Sequence, residues 1–378
     1  MSVPAAERPG AGAAAAQPPG ARRRPHLPGS TLARSLGLVV LVGVLLWIAS
    51  ELLGSYDDLR LASGSYYFAV LAGLTLLTGL SGQISLGHGA LMAVGAYTVA
   101  LLVGNEHWAL VPALAAAVAI TALVGVLVGA AASRLRGPYL AGATLAFAIG
   151  LPSLAEKYSG TFGGANGLAI NPPAVPSWLG QSFPLERWEA WIAGIGALVV
   201  VFAINNLVRS GVGRSLRAVR DDEIAASLCG LHVGRVQTLA FVVSAACAGL
   251  GGGMLAVVLQ LAAPGAFQLS LSLSLLTAIV LGGLGSQLGA LWGAIVLVLL
   301  PSWTNDIAHS SSLSNQVSAN LPLAIYGVVL IAAMLAWPSG IQGALRRIIA
   351  LARRIPLGSK ELDKHSTSGS GGVSHEST

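Results

Sequence analysis

Residues 211–235 read GVGRSLRAVRDDEIAASLCGLHVGR, a charged interruption in a chain that is otherwise almost continuously apolar. Together with Arg209, the stretch holds five arginines and the acidic run at 221–223. Charge of this density between membrane helices must face water, and basic loops stay on the cytoplasmic side of a membrane. The stretch therefore predicts the orientation of the whole chain, and its mixed charges favour a docking surface.

Composition places the remainder of the chain in a lipid bilayer. Only 10% of the 378 residues are charged, whereas a soluble domain carries about 25%, and the mean hydropathy is +0.74. We predict an all-α, polytopic membrane protein. The net charge of +6 does not indicate nucleic-acid binding, because the basic residues flank apolar stretches, where orientation explains them. Cys229 lies in the charged stretch and Cys247 in an apolar span, which favours two free thiols over a disulfide or metal site.

Apolar stretches that could cross the membrane fall at 36–53, 61–79, 84–103, 109–132, 138–155, 189–208, 236–259, 267–303 and 320–337. If each crossed once, with 209–235 inside, the basic C-terminal segment would lie outside. However, the stretch 267–303 is too long for one helix and is interrupted by GGLGS at 282–286. Splitting it there gives two spans near the lower limit of ~17 residues, joined by a cytoplasmic turn, and about ten spans in all. A re-entrant pair of half-helices over 267–303 would leave the C-terminal segment on the same side of the membrane, and this alternative stays open.

The ten-span arrangement places 18 of the 21 lysines and arginines inside and only Arg60, Lys157 and Arg187 outside, as the positive-inside rule requires. It predicts three regions. These are a disordered cytoplasmic N-terminal tail over 1–35, rich in Ala, Pro, Gly and Arg, a transmembrane domain over 36–340, and a cytoplasmic C-terminal tail over 341–378.

The predicted spans contain no group that could supply energy for moving a solute against its gradient. No Asp, Glu, Lys or Arg lies in the middle of a span, where ion-coupled carriers usually place such residues, and His88 is the ionisable side chain near mid-span. A P-loop needs Gly-Lys followed by Ser or Thr, but the three lysines precede Tyr158, Glu361 and His365. The chain is thus predicted to supply a path, driven from elsewhere. The alternative is a channel or ion-coupled carrier that acts alone. An intramembrane enzyme has little support, because no span holds paired carboxylates, HExxH or GxSxG.

The acidic run predicts a short helix within the charged stretch. Asp221 is the expected N-cap, and Asp222 and Glu223 would favour a helix N-terminus through its dipole. Residues 224–229 continue the helix, and Gly230 is the expected stop. By composition alone, the stretch could also be a solvated loop whose charges only set the topology.

Residues on either side of the acidic run suit contact with a partner protein. The small side chains of Ala225 and Ala226 would let a partner's backbone approach closely. The spacing of Arg214, Arg217 and Arg220 aligns a basic ridge on the segment that precedes the acidic run.

Over roughly residues 60–340 the chain resembles the inner-membrane permease subunits of branched-chain amino acid ABC transporters, specifically the LivM-like member of the pair. The stretches that carry the resemblance are GLSGQISLGHGALMAVGAYTVALL (79–102), RLRGPYLAGATLAFA (134–148), GRSLRAVRDDEIAASLCGLHVGRVQTLAFVVSAACAGLGGGMLA (213–256) and LTAIVLGGLGSQLGALWGAIVL (276–297).

The resemblance implies an assembly in the bacterial inner membrane, where the ten-span arrangement places both termini in the cytoplasm. Its other members would be a second, LivH-like permease, two cytoplasmic ATPase subunits that bind ATP and Mg²⁺, and an extracytoplasmic solute-binding protein. This chain would hold no cofactor or metal and would not be an enzyme. Its ATPase-coupling residues would be Arg214, Arg217, Arg220, Asp221, Asp222, Glu223, Ala225, Ala226 and Gly230.

Two further groups of residues are candidates for function. Gln83, Ser85, His88 and Tyr97 are polar positions in an apolar segment and could line the translocation path. Alternatively, Ser85 packs helices and His88 bonds a carbonyl. Within the external loop 156–188, an element resembling TGGxxGL could dock a protein or pass on a solute, or could merely end the loop. Its candidate residues are Gly163, Gly164, Asn166 and Gly167.

The solute is expected to be a branched-chain or related amino acid. An amide or urea-type compound or a sugar is the alternative, because specificity in such systems rests largely on the separate binding protein.

Overall fold

The computed structural model describes residues 31–52, 54–135, 138–180, 183–310, 327–328, 331–332, 335 and 340–352. The helices are α1 (Thr31–Leu52), α2 (Ser55–Leu74), α3 (His88–Val99), α4 (Leu110–Ala132), α5 (Pro138–Lys157), α6 (Ser159–Phe162), α7 (Leu185–Arg209), α8 (Gly211–Asp221), α9 (Glu223–Leu228), α10 (Val233–Leu259), α11 (Leu269–Gly282), α12 (Gln287–Ser310) and α13 (Gly340–Ala352). Turns of π-helix extend α2 over Thr75–Leu80 and α3 over Ala100–Asn105. The strands β1 (Leu168–Ala169) and β2 (Leu261–Ala262) pair antiparallel.

The all-α, polytopic prediction is confirmed. Eight helical segments of the described residues are long and apolar enough to cross a membrane. The predicted break at 282–286 is also confirmed, because α11 ends at Gly282 and α12 begins at Gln287. The apolar part of α12, Gln287–Trp303, is shorter than the eight candidate spans and extends about 26 Å, close to the ~30 Å hydrocarbon core, so a full span and a re-entrant half-helix both stay open. The remaining predicted span, 320–337, lies largely outside the described residues.

Helix α10 lies at the centre of the bundle and packs against α2, α3 and α4. Its glycines make these close contacts possible, since small residues let membrane helices approach closely. A Cβ atom at Gly252 would overlap the backbone carbonyl of Met92 on α3, and one at Gly249 would overlap the Thr121 side chain on α4. The glycine-rich part of α10 therefore fixes the positions of its neighbours.

The charged stretch and the 282–286 turn lie at the same end of the bundle, as the parity of the spans requires. The Arg220 Nη1 donates to the carbonyl of Gly79 over 2.7 Å, and Gly79 packs directly against Gly285. In the middle of α13, Arg346 Nη2 lies 3.5 Å from Ser286 Oγ. This end, defined by Gly79, residues 211–235 and residues 283–286, is called the coupling end. The opposite end, which carries β1 and β2, is called the loop end.

Several helices begin earlier than the apolar pattern predicts. Residues 31–35, predicted as disordered tail, form the start of α1, where buried Ser35 donates to Asn206 Oδ1 over 2.9 Å. Residues 1–30 lie outside the described residues. The predicted C-terminal tail, 341–378, begins with helix α13 instead. Its remaining residues, 353–378, also lie outside the described residues.

Helices α2 and α7 likewise extend beyond their predicted apolar spans. They begin at Ser55 and Leu185, not at 61 and 189. Their polar first turns are accommodated by ion pairs: Arg187 lies 3.6 Å from buried Asp58 and 3.2 Å from Glu51. Pairing of this kind lowers the free-energy cost of charge near the membrane, so hydrophobicity alone underestimates the length of these helices.

Candidate coupling and translocation site

The charged stretch forms two short helices, α8 and α9, that lie against the bundle. Helix α8 is N-capped by Ser210, whose hydroxyl accepts a hydrogen bond from the Val212 backbone over 3.2 Å. Its apolar face buries Leu216 and Val219. Because the buried residues recur every three to four positions, α8 is amphipathic, and its polar face is left for water or a partner.

Two of the three arginines on α8 anchor it to the membrane helices. Arg217 Nη2 donates to the carbonyl of Val208 over 3.2 Å, and Arg220 donates to Gly79. Arg220 also makes two bonds, of 3.0 and 2.8 Å, to one carboxylate oxygen of Asp221. The predicted basic ridge is therefore only partly available to a partner, with Arg214 exposed beside it.

The N-cap of α9 is Asp222, so the prediction of Asp221 was wrong by one residue. Asp222 Oδ1 accepts from the backbone amides of Ile224 and Ala225 at 2.8 and 3.0 Å. An N-cap needs a non-helical backbone, and Asp222, with φ −158° and ψ 110°, occupies the bend between the helices. Asp221 instead ends α8 and pairs with Arg220.

The predicted stop at Gly230 is confirmed. Its φ is +84°, a conformation that glycine adopts at little cost. Gly230 N donates to Ser227 O over 3.0 Å and Leu231 N donates to Ala226 O over 3.1 Å. This pair of bonds is the Schellman motif, and it gives α9 a defined end.

The exposed face of α9 is mainly apolar, although Ser227 is also exposed. Ile224 and Leu228 are 74% and 83% exposed, and their spacing of four residues places them side by side. Ala225 is exposed beside them, whereas Ala226 is only 4% exposed. Of the two alanines, only Ala225 is thus available to a partner surface.

A hydrogen bond that the sequence did not reveal ties α9 to α10. Gln237 Nε2, on a buried side chain near the start of α10, donates to Glu223 Oε1 over 2.8 Å. One sign of this bond was visible in the sequence, since Gln237 is a polar residue in the first turns of an otherwise apolar helix. Its partner could not be inferred, because the two helices meet only after the chain turns at 229–232.

A cavity of about 700 Å³ opens beside this bond. It brings together a predicted path residue, Gln83, and a predicted coupling residue, Glu223. The full lining is Ser81, Gly82, Gln83, Ile84, Ser133, Leu135, Leu140, Ala141, Glu223, Val233, Gly234 and Gln237.

Ser85 and His88 lie in a buried polar cluster instead of on a cavity surface. His88 is completely buried; its Nε2 lies 2.7 Å from Ser244 Oγ and its Nδ1 lies 3.2 Å from Ser85 Oγ. The partners of His88 are thus hydroxyls, not the carbonyl considered from sequence, and Ser244 was not predicted. The cluster joins α3 to the middle of α10.

Tyr97 lies far along α3, near the loop end. Its ring contacts those of Phe162 and Phe267, with centroids 5.3 and 6.4 Å away. The four predicted path residues therefore occupy three places: Gln83 at the cavity, Ser85 with His88 in the polar cluster, and Tyr97 among aromatic rings.

The glycines of the TGGxxGL-like element have a structural role. Gly163, Gly164 and Gly167 have φ of +75°, +60° and +72°, which favours glycine. A Cβ at Gly167 would also lie 2.5 Å from the Cα of Ala263, so this turn fits tightly beneath the β1–β2 pair. Asn166 is the exposed member of the predicted set.

Comparison with known proteins identifies related chains. The family model described as branched-chain amino acid transport system / permease component matches residues 57–334. The high-affinity branched-chain amino acid transport system permease protein LivM of Escherichia coli (strain K12) is 33% identical over 316 residues, covering 76% of this chain and 73% of that protein.

More distant permeases are also similar. The permease protein LivH of the same system and strain is 27% identical over 296 residues, covering 74% of this chain and 92% of that protein. The ribose import permease protein RbsC of Escherichia coli (strain K12) is 27% identical over 289 residues, covering 73% and 86%. No solved structure matches the chain. The extent of the family match and the identity to LivM show that this chain, a multi-pass helical membrane protein, belongs to the family of branched-chain amino acid transport permease components.

Proposed function

We propose that this chain is the LivM-like permease subunit of an ABC importer for branched-chain or related amino acids. The observation that carries the proposal is the α8–α9 element, a capped, partly apolar surface that is hydrogen-bonded to three membrane helices, α2, α7 and α10. Such an element suits the transmission of force from a separate motor. The similarity to LivM supports the choice of solute, and the weaker similarity to a ribose permease makes a sugar the second candidate.

The partners follow from the same proposal. A LivH-like permease would complete the membrane domain, and two ATPase subunits would bind ATP and Mg²⁺. The exposed apolar residues of α9, which are Ile224, Ala225 and Leu228, would enter a cleft of one ATPase. An extracytoplasmic binding protein would deliver the solute at the loop end, where Asn166 is exposed.

Force would travel through two side-chain contacts. Movement of α8–α9 would act on α2 through the Arg220–Gly79 bond and on α10 through the Glu223–Gln237 bond. Because α10 packs tightly against α2, α3 and α4, tilting it would move the centre of the bundle. This provides a route to alternating access without an energy source in the chain itself.

The proposed orientation places the coupling end in the cytoplasm of a bacterial inner membrane, with both termini on that side. It is supported by the arginines at 209–235 and at 346–347. Cys229 on the coupling end is exposed, whereas Cys247 is buried. A membrane-impermeant thiol reagent should therefore label Cys229 in inside-out vesicles but not in right-side-out vesicles. Labelling in right-side-out vesicles alone would contradict the orientation.

The transport function is tested by reconstitution into proteoliposomes. The complete assembly should take up leucine only when ATP is supplied to the ATPase side, and this chain alone should take up none. Leucine uptake by the chain alone, without ATP, would show a stand-alone carrier. Uptake of ribose or urea in place of leucine by the complete assembly would assign the solute to the alternative class.

A further inference from the structure

The cavity beside the Glu223–Gln237 bond lies between three parts of the chain. One wall is the segment 81–84, which follows α2 and is non-helical from Gly82, and a second is the start of α10, with Val233, Gly234 and Gln237. The remaining side is lined from the end of α4 and the start of α5, by Ser133, Leu135, Leu140 and Ala141. The first two walls are separated by more than 140 residues in the chain, so their spacing depends on tertiary contacts at this end.

The α8–α9 element contacts both of these first two walls. Beside the first wall, Arg220 donates to Gly79 over 2.7 Å, and its side-chain Cγ would lie 3.0 Å from a Cβ on Gly82. At the second wall, Glu223 accepts from Gln237 over 2.8 Å. Arg220 and Glu223 lie on either side of the bend at Asp222, so a displacement of α9 relative to α8 must change the spacing of the walls.

The lining suits a small molecule with a charged end and an aliphatic end. Glu223 supplies a carboxylate for an ammonium group, and Gln83 and Gln237 supply amides. Ile84, Leu135, Leu140 and Val233 supply apolar surface. This combination of one apolar side and a few polar groups is typical of small-molecule sites.

We propose that this cavity is the exit chamber for the solute and that the Glu223–Gln237 hydrogen bond is its latch. Displacement of α9 by the ATPase breaks the bond, separates the start of α10 from the segment 81–84, and opens the chamber to the cytoplasm. Gln237 is thus a positioning residue for transport. The inference rests on the proposed function and adds to it that the coupling element itself forms part of the chamber wall.

The first test locks the latch in the complete transporter. Glu223→Cys and Gln237→Cys are introduced together in a chain that carries Cys229→Ser and Cys247→Ala. A short, reducible bifunctional thiol reagent then joins positions 223 and 237. We expect cross-linking to lower ATP-dependent leucine uptake at least tenfold and reductive cleavage to restore it. Each single cysteine variant should show the same leucine uptake before and after the same treatment, whatever its starting level. Unchanged uptake in the fully cross-linked transporter would overturn the latch.

The second test does not depend on transport and serves if the paired cysteine variant fails to assemble. Gln83→Cys in the same cysteine-free background, a position only 6% exposed, is labelled with a water-soluble thiol reagent from the coupling end. Addition of Gln237→Leu removes the bond to Glu223 that holds the start of α10. It should therefore raise the labelling rate of the cysteine at position 83 at least tenfold. The matched change Gln287→Leu, at the start of α12, should leave the rate unchanged. Equal rates in the two variants would also overturn the proposal. Leucine uptake by the wild-type assembly separately reports whether the transport function holds.

Discussion

Replacement of Gly252 by valine is expected to prevent recovery of folded protein. A side chain at this position would overlap the backbone carbonyl of Met92 on α3. Backbone cannot move aside as a flexible side-chain end can, and overpacking a well-packed interior typically costs about 1–3 kcal/mol even when neighbours adjust. Because α10 contacts α2, α3 and α4 together, the strain cannot be relieved by moving one helix.

The measurement is the yield of monodisperse protein after detergent extraction, with the melting temperature of any material recovered. Gly150→Val is the matched control, since Gly150 lies on membrane helix α5 and a Cβ there would meet nothing within 4 Å. We expect near-wild-type yield from the control and at least a tenfold lower yield from Gly252→Val. Equal yields would show that the close α10–α3 packing is wrong.

Replacement of Glu223 by lysine is expected to abolish uptake and ATPase association while membrane insertion survives. The change removes the acceptor for Gln237 and places a cation at the first turn of α9, where the helix dipole disfavours positive charge. Position 223 is at the water-facing end of the bundle and is not fully buried, so the membrane helices should still form.

Association is measured by co-purification of the ATPase subunits, insertion by the amount of protein in washed membranes, and function by leucine uptake. Glu106→Lys gives the same charge reversal at an exposed position at the far end of α3 and should retain uptake. Wild-type uptake by Glu223→Lys would remove the assignment of α9 as the coupling element.

The sequence predicted local features well where their cause was also local. The break at 282–286 and the stop at Gly230 depend on glycines and their immediate neighbours, and both lie where they were expected. The N-cap was displaced from Asp221 to Asp222 because α8 continues through Asp221, which a contact with Arg220 helps to stabilise. That contact depends on how α8 lies against Gly79, which the sequence pattern does not report.

The early starts of α2 and α7 have a similar explanation. Apolar patterns locate the part of a helix that meets lipid, but Arg187 pairs with Asp58 and Glu51 across three helices. Such ion pairs allow a helix to include charged residues beyond its apolar span. The partner of each charge was unpredictable, because it is set by helix packing.

The all-α membrane fold, the position of most spans and the family could be inferred from the order of the amino acids. The spans could be located because a bilayer obliges each spanning segment to satisfy its own backbone hydrogen bonds, so hydrophobicity and length suffice to find them, and the family followed from its sequence motifs. Which polar groups meet depends on how the helices pack. His88 and Ser244 are 156 residues apart, and Glu223 meets Gln237 only after the chain reverses direction, so these contacts exist only once α3, α9 and α10 are packed together.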